Sequence, residues 1–281
     1  MEHSGQKEIL KNLVAEWKKM EFSIGFVPTM GALHQGHLDL VEEARRHCTK
    51  VVVSIFINPL QFNNPDDLNR YPRQPESDVG LLKNAGVDFL YMPEASDFYE
   101  LPTRISMDFG TTGNHLEGLM RPGHFSGVGI VLARLFHLVE PDKAFFGAKD
   151  LQQVAVVKTL VRDLEFPLEI VRCPTRREPG GLAMSSRNQR LSSTGRKTAE
   201  FLFQALQIAA SSFGGNPEAG LKEARNFIVS NPEITLEYLE WVDAENMEIW
   251  NGRMPAPKET AICIAAMVEG VRLIDNLIVS F

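Results

Sequence analysis

Two histidines stand three residues apart in this sequence, at His34 and His37, with Gly36 between them. Side chains at that spacing share one side of a helical first turn. The free N–H groups and the dipole of such a turn face an anion. Gly36 removes a side chain, so a phosphate or a ring can approach the backbone. Imidazoles placed there can hydrogen-bond phosphate oxygens that gain charge in a transition state. The same pair could instead cap the helix or bind a metal, although no cysteine and no obvious third ligand lies near. Ser185-Ser186-Arg187 offers two hydroxyls and a guanidinium that forks onto two oxygens, which suits a polyphosphate; it could equally be an N-cap and a solvated loop. Lys149 can neutralise a phosphate. Asp150 beside it can orient a ribose, the lysine or a magnesium-bound water, or simply cap a helix. Gln61 and Gln153 are neutral and bifunctional, able to donate to a carboxylate and accept from the hydroxyls of a small hydroxy acid.

These residues need a frame, and the hydrophobic pattern supplies one. Strand-like runs at 23–27, 51–57, 88–92, 143–146 and 168–173 alternate with helical stretches that include 76–84, 127–139 and 151–164. The run VVVSIFI at 51–57 is apolar on both faces, as the buried centre of a parallel sheet requires. The alternation predicts an α/β fold with a Rossmann-like, doubly wound parallel sheet. Ligands bind such sheets beyond the carboxyl ends of the strands. The chemically suggestive residues follow strands accordingly: 28–37 after the first, 58–62 after the second, 147–153 after Phe146 and 184–188 beyond the last. After about residue 174 the pattern changes. Helices near 193–212 and 218–230 precede strands at 236–242, 261–268 and 271–278, a smaller C-terminal α+β domain. The expected division is 1–175 and 176–281, the second a lid carrying the Ser-Ser-Arg loop at its start. The first twenty residues are polar and expected to be helical.

The chain has 281 residues and a net charge of 29 − 36 = −7. A general nucleic-acid or anionic-membrane binder would be basic. Positive charge is instead concentrated: residues 172–197 hold seven Lys or Arg against Glu178 alone. Such a +6 segment fits a small polyanion. Cys48, Cys173 and Cys263 are isolated, which suggests neither disulfides nor a cysteine zinc site. The N-terminus lacks a signal-peptide layout, and the apolar runs are too short to span a bilayer. The expected setting is soluble and cytoplasmic, without membrane or nucleic-acid partners.

An early H-x-G-H and a late basic Ser-Ser-Arg loop form the paired pattern of the nucleotidylyltransferase superfamily. Its class I aminoacyl-tRNA synthetases carry HIGH and KMSKS motifs at these places. The chain resembles one family there closely. FVPTMGALHQGH (26–37), SIFINPLQF (54–62), YPR (71–73), RPGHFSGV (121–128), FFGAKDLQQ (145–153) and GLAMSSRNQRLS (181–192) together are similar to the pantothenate synthetases, or pantoate–β-alanine ligases.

That resemblance implies an ATP-dependent ligase with a pantoyl-adenylate intermediate. It implies that Pro28, Thr29, Met30, Gly31, Ala32, Leu33, His34, Gln35, Gly36 and His37 line ATP, together with Gly147, Ala148, Lys149, Asp150, Arg176, Met184, Ser185, Ser186 and Arg187. His37, His34 and Lys149 would be catalytic, with His37 as the family's acid. Gln61 and Gln153 would clasp pantoate, shaped by Met30 and Asn58, with Gln61 also near β-alanine. Asp78 would help hold Mg2+ on the outer phosphates, and the assembly would be a homodimer. The chain departs from the family pattern at Ala148 (commonly Glu), Arg176 (often apolar), Gly180 (often Asp) and Ser77 (a second acid). Two other readings remain open from sequence: a nucleotidyltransferase acting on a phosphate, and a non-catalytic module of the same fold.

Overall fold

The structure, a computed structural model, describes residues 1–252 and 255–279. Its strands are β1 (Glu2–Ser4), β2 (Ile24–Thr29), β3 (Lys50–Ile55), β4 (Phe89–Tyr91), β5 (Lys143–Gly147), β6 (Glu169–Cys173), β7 (Ile234–Asp243), β8 (Thr260–Val268) and β9 (Val271–Val279). The first six pair in parallel in the order β1-β4-β3-β2-β5-β6. The chain winds outward from β2 through β3 and β4, then outward the other way through β5 and β6. The doubly wound sheet is thus as expected, with its switch point between β2 and β5.

Successive residues of β2 show why both faces must be apolar. Val27 joins a core with Leu40, Val41 and Ala44 of the helix Gln35–His47. Its neighbour Phe26 points the other way and meets Phe136 of the helix His124–Val139 edge-on, ring centroids 6.3 Å apart. In β3, Val51, Val52 and Val53 are accordingly all buried. One expectation fails at the N-terminus. Glu2–Ser4 forms an edge strand rather than helix, and the helix begins at Lys7. The backbone of β4 explains this: Glu2 N–H donates to the Asp88 carbonyl and Met92 N–H to the Ser4 carbonyl, so the short strand satisfies groups that β4 would leave bare.

The chain divides into two compact units. One is Met1–Ala148 with Val156–Pro174; the other is Lys149–Ala155 with the described residues from Thr175 onward. In the second, β7, β8 and β9 form an antiparallel sheet in that order. The β8–β9 hairpin turns through Glu269 and Gly270, φ +49° and +72°, the paired positive values of a type I′ turn. The helices Ser193–Ser211 and Pro217–Val229 cover the sheet, burying Leu202, Leu206, Trp241, Ile262 and Ile264 in one core. No helix among the described residues is long and apolar enough to cross a membrane.

Tyr91 carries a buried hydroxyl with no hydrogen-bond partner among the described residues. Burial pushes its phenol up to about 12. Tyrosine in the unfolded chain titrates near 10, so between about pH 10 and 12 only the folded chain keeps this proton. The stability contribution is whole below that window and is lost as pH rises through it. Tyr91→Phe removes both the unpaired hydroxyl and this titration. It should gain about 1 kcal/mol near neutrality and soften the alkaline loss. Urea unfolding at pH 7 and pH 11 measures both; a loss of stability at pH 7 would contradict the assignment.

Candidate active site

The loop that leaves β2 is built by backbone geometry few residues accept. Gly31 and Ala32 both have left-handed φ, +81° and +49°. Thr29 Oγ1 donates to the Ser54 carbonyl at 2.8 Å and accepts from Gly31 N–H at 3.3 Å, tying the loop start to β3. The next two amides, Ala32 and Leu33, donate to Asp78 Oδ2 and Oδ1, each at 2.8 Å. Their kink delivers the chain to His34, the N-cap of the helix Gln35–His47.

The two histidines cap that helix reciprocally. His34 Nδ1 accepts from Gly36 N–H at 3.1 Å, and His37 Nδ1 accepts from His34 N–H at 3.3 Å. Their rings lie 4.1 Å apart. A neutral imidazole that accepts at Nδ1 carries its proton at Nε2. Both rings are therefore assigned as Nε2–H donors. Capping and catalysis, alternatives in the sequence, are compatible here because they use opposite edges of each ring.

After β3 the 3-10 turn Pro59–Gln61 places a second cluster. Asn58 is 1% exposed, and its amide is used fully within the chain. Nδ2 donates to Gln61 Oε1 at 3.2 Å and to the Gly127 carbonyl at 3.0 Å. Oδ1 accepts from Leu60 N–H at 3.2 Å and Tyr99 Oη at 2.9 Å. Burial raises the Tyr99 phenol above the ordinary tyrosine range, against the pull of Arg134, so it remains a donor. The Gln61 amide is oriented in turn: Oε1 faces Asn58, and Nε2 points to Met30 Sδ at 2.9 Å. The Gln61 backbone carbonyl accepts from His124 Nδ1 at 2.8 Å, while His124 Nε2 faces Arg121 at 3.1 Å. Gly127 completes the fit, because a Cβ there would lie 2.3 Å from the Leu60 carbonyl oxygen. Met30, Asn58 and Gln61 thus come together as a neutral, orientation-locked amide site.

The second unit holds the other set. Lys149 Nζ lies 3.4 Å from Asp150 Oδ1, and the Lys149 carbonyl accepts from Asn276 Nδ2 at 2.8 Å. Gln153 is half-buried in the helix Leu151–Asp163. Met184 N–H donates to the Arg176 carbonyl at 2.9 Å, so Arg176 engages the loop through its backbone. Ser185 caps the turn Ser186–Arg190, its Oγ accepting from Arg187 N–H at 3.3 Å. Asn188 anchors that turn through Glu178 and the Ala183 carbonyl. At Gly180 a Cβ would fall 2.0 Å from Glu200 Oε1, so the absence of a side chain there makes room for the Glu200 carboxylate.

Asp78 requires a correction. It was expected to help hold magnesium, yet it is 1% exposed and both oxygens accept loop amides. Magnesium needs oxygen lone pairs turned to the ion and its waters. Among the described residues no group of three or more His, Cys, Asp and Glu could hold a metal. Buried against the loop with both oxygens engaged by amides, Asp78 does not fit a direct magnesium ligand.

Comparison with known proteins decides the family. The model of the pantoate-beta-alanine ligase family matches residues 3–278. The chain belongs to the pantoate-beta-alanine ligase family. It is 49% identical over 270 residues to a pantothenate synthetase of Cytophaga hutchinsonii, covering 95% of each chain. The crystal structure of the Thermus thermophilus pantothenate synthetase is similar with a TM-score of 0.91 at 42% identity, covering 99% of both chains. A Francisella tularensis pantoate-beta-alanine ligase, complexed with beta-gamma ATP and beta-alanine, is similar with a TM-score of 0.82 at 34% identity, covering 99% of this chain and 97% of that one.

Several residues that shape this ligase escaped the sequence reading. Tyr99 follows no motif, and its contact with Asn58 spans 41 positions. His124 and Arg121 stand in the RPGHFSGV string that marks the ligase family, but nothing in that string tells that both reach the Gln61 backbone carbonyl. Arg177 is one of the seven basic residues of the segment 172–197, and nothing local marks it out. It forms a two-pronged ion pair with buried Asp275, at 2.6 and 3.0 Å.

Proposed function

We propose that the enzyme joins pantoate to β-alanine in two steps. A pantoate carboxylate oxygen attacks the α-phosphorus of ATP. The α–β phosphoanhydride bond breaks, pyrophosphate leaves and pantoyl adenylate remains. The β-alanine amine then attacks the acyl carbon, an amide bond forms, AMP leaves and the amine's surplus proton passes to solvent. Activation is needed because a free carboxylate is a poor electrophile.

The observation that carries this chemistry is the His34–His37 capping pair, whose Nδ1 atoms are engaged by backbone N–H groups at a helix N-terminus beyond the carboxyl end of β2. In this reading the two rings stabilise charge on the α-phosphate and on the leaving pyrophosphate. Phosphoryl transfer is mostly positioning and electrostatics. The Nε2–H of His37 acts as the acid only by hydrogen-bonding the phosphate oxygens, its proton staying on the ring, and Lys149 adds fixed positive charge. Residues 28–37 and 147–150, the Arg176 backbone and Met184, Ser185, Ser186 and Arg187 bind the nucleotide. Gln61 and Gln153 clasp pantoate against Met30. The Gln61 amide, held by Asn58, presents Nε2–H to a carboxylate, first of pantoate and then of β-alanine. Mg2+ enters as the counter-ion that ATP brings on its own phosphates, and no step is assigned to it. The family resemblance supports a cytoplasmic homodimer.

Exchange of labelled pyrophosphate into ATP, measured with pantoate and without β-alanine, tests the reading. Exchange that requires pantoate, and formation of pantothenate and AMP once β-alanine is added, is the expected result. No exchange in folded protein, or exchange only with a phosphate monoester as acceptor, would overturn it.

A further inference from the structure

We infer that Asp78 is a positioning residue for the nucleotide site, a carboxylate clamp that sets the shape of the ATP loop and is no ligand of magnesium. The inference rests on the proposed ATP reaction. Asp78 lies in the helix Pro75–Asn84, more than 40 positions from the loop that it holds. Its oxygens take one amide each, from Ala32 and from Leu33. Hydrogen bonds from N–H to an ionised carboxylate are about twice as strong as neutral ones.

The loop needs that hold. Ala32 has φ +49°, a left-handed conformation that a side chain with a Cβ disfavours. Gly31 beside it has φ +81°, and a Cβ there would press to 3.1 Å from Asp78 Oδ2 and 3.0 Å from Ile55 Cγ2. The carboxylate therefore seats directly under the kink, and a side chain at position 31 would crowd it as well as strain a left-handed backbone. Releasing it frees two buried amides and lets Ala32 relax to ordinary backbone angles. Both changes move His34, the N-cap, and with it the reciprocal His37 contact. Asp78 thus acts on ATP through the backbone of Met30 to His34, and its negative charge is absorbed by amides before it can repel a phosphate.

Three measurements on the full chain test this. Asp78→Asn keeps the shape but sets an NH2 group against an amide N–H. In pantoate-dependent exchange its KM for ATP should rise about 10- to 100-fold, with the pantoate KM and the free Mg2+ giving half-maximal rate both within about twofold of the parent. Adding Ala32→Gly to that variant, which removes the left-handed penalty, should recover about fivefold or more of the lost ATP affinity. Backbone amide exchange of residues 30–34 should be slow in the parent and at least about tenfold faster in Asp78→Asn, with β2 unchanged. An unchanged ATP KM overturns the clamp. So does a raised Mg2+ requirement that excess Mg2+ satisfies, since that marks an ion ligand. If Asp78→Asn does not fold, the parent decides: Ala32 and Leu33 amides exchanging like an open loop overturn the clamp, and protection like that of the following helix supports it. A parent without pantoate-dependent exchange would sink the proposed function, while the amide measurement would still judge the clamp.

Discussion

Replacing His37 with alanine is expected to slow pantoate-dependent exchange about 10²- to 10³-fold and to cost about 1 kcal/mol of stability. The two losses have separate origins in one ring. Its Nδ1 accepts from His34 N–H, one of the unsatisfied donors at the start of the helix. Its Nε2–H is the donor assigned to the phosphates. His37→Gln separates them. A glutamine at the third helical position is the usual partner in a capping box, because its carbonyl reaches back to the N-cap N–H. The glutamine variant should therefore regain the alanine variant's lost stability, while its exchange rate stays within about tenfold of the alanine variant. Thermal unfolding and exchange kinetics on the two variants settle the matter. A glutamine variant restored in rate as well as stability would mean that the imidazole serves only as a cap.

What the sequence made legible, and what it hid, follows from the range of the interactions. The run VVVSIFI announces a strand buried on both faces, because its apolar residues ignore the two-residue alternation. The helix Gln35–His47 is visible for the opposite reason, since Leu38, Val41 and Ala44 recur at helical spacing, although the structure buries Leu40 rather than Leu38 beside Val41 and Ala44. Both signals are local. The β1 segment Glu-His-Ser has no such signal; its extended form comes from pairing with β4, some 87 positions away along the chain. The H-x-G-H block could be recognised because its chemistry lies within four residues that follow a strand. The Asp78 carboxylate could only be guessed at. Nothing in the helix Pro75–Asn84 reveals that its aspartate faces the amides of a distant loop, and the magnesium role expected of it came from the family resemblance alone. Of the basic segment at 172–197, composition conveyed only its excess charge. The structure spends part of that charge internally, pairing Arg177 with Asp275 and Arg196 with Glu178.

Arg177→Met is expected to destabilise the protein by about 3–5 kcal/mol, the cost of leaving one half of a buried ion pair alone. Arg177 donates to both oxygens of Asp275, to the Gly181 carbonyl at 3.0 Å and to the Asn276 carbonyl at 3.0 Å. Its guanidinium lies 3.9 Å from the centre of the Phe203 ring. Asp275 is 5% exposed, so water cannot replace the lost donors. Burial raises its carboxyl above the ordinary aspartate value, and in the parent Arg177 opposes that rise. With the arginine gone nothing comparable opposes it. The folded variant then holds a proton that the unfolded chain releases near pH 4. Its deficit relative to the parent should be smallest below about pH 4 and should widen as the pH rises through the folded value. Exposed Lys197, in the same basic segment, provides the control: Lys197→Met should change stability by less than about 0.5 kcal/mol. Removing both charges in Arg177→Met/Asp275→Leu should recover at least about half of the loss, since apolar residues of similar volume replace buried ion pairs at little cost. Turnover should fall in the single variant as well. Arg177 bridges to Ala183 beside the Met184–Arg187 loop, and Asn276 next to Asp275 holds the Lys149 carbonyl. Urea unfolding at pH 4 and pH 7 reads the result. A deficit equal at both pH values, or a double variant no better than the single, would show that packing against Phe203 rather than the charge pair holds this network.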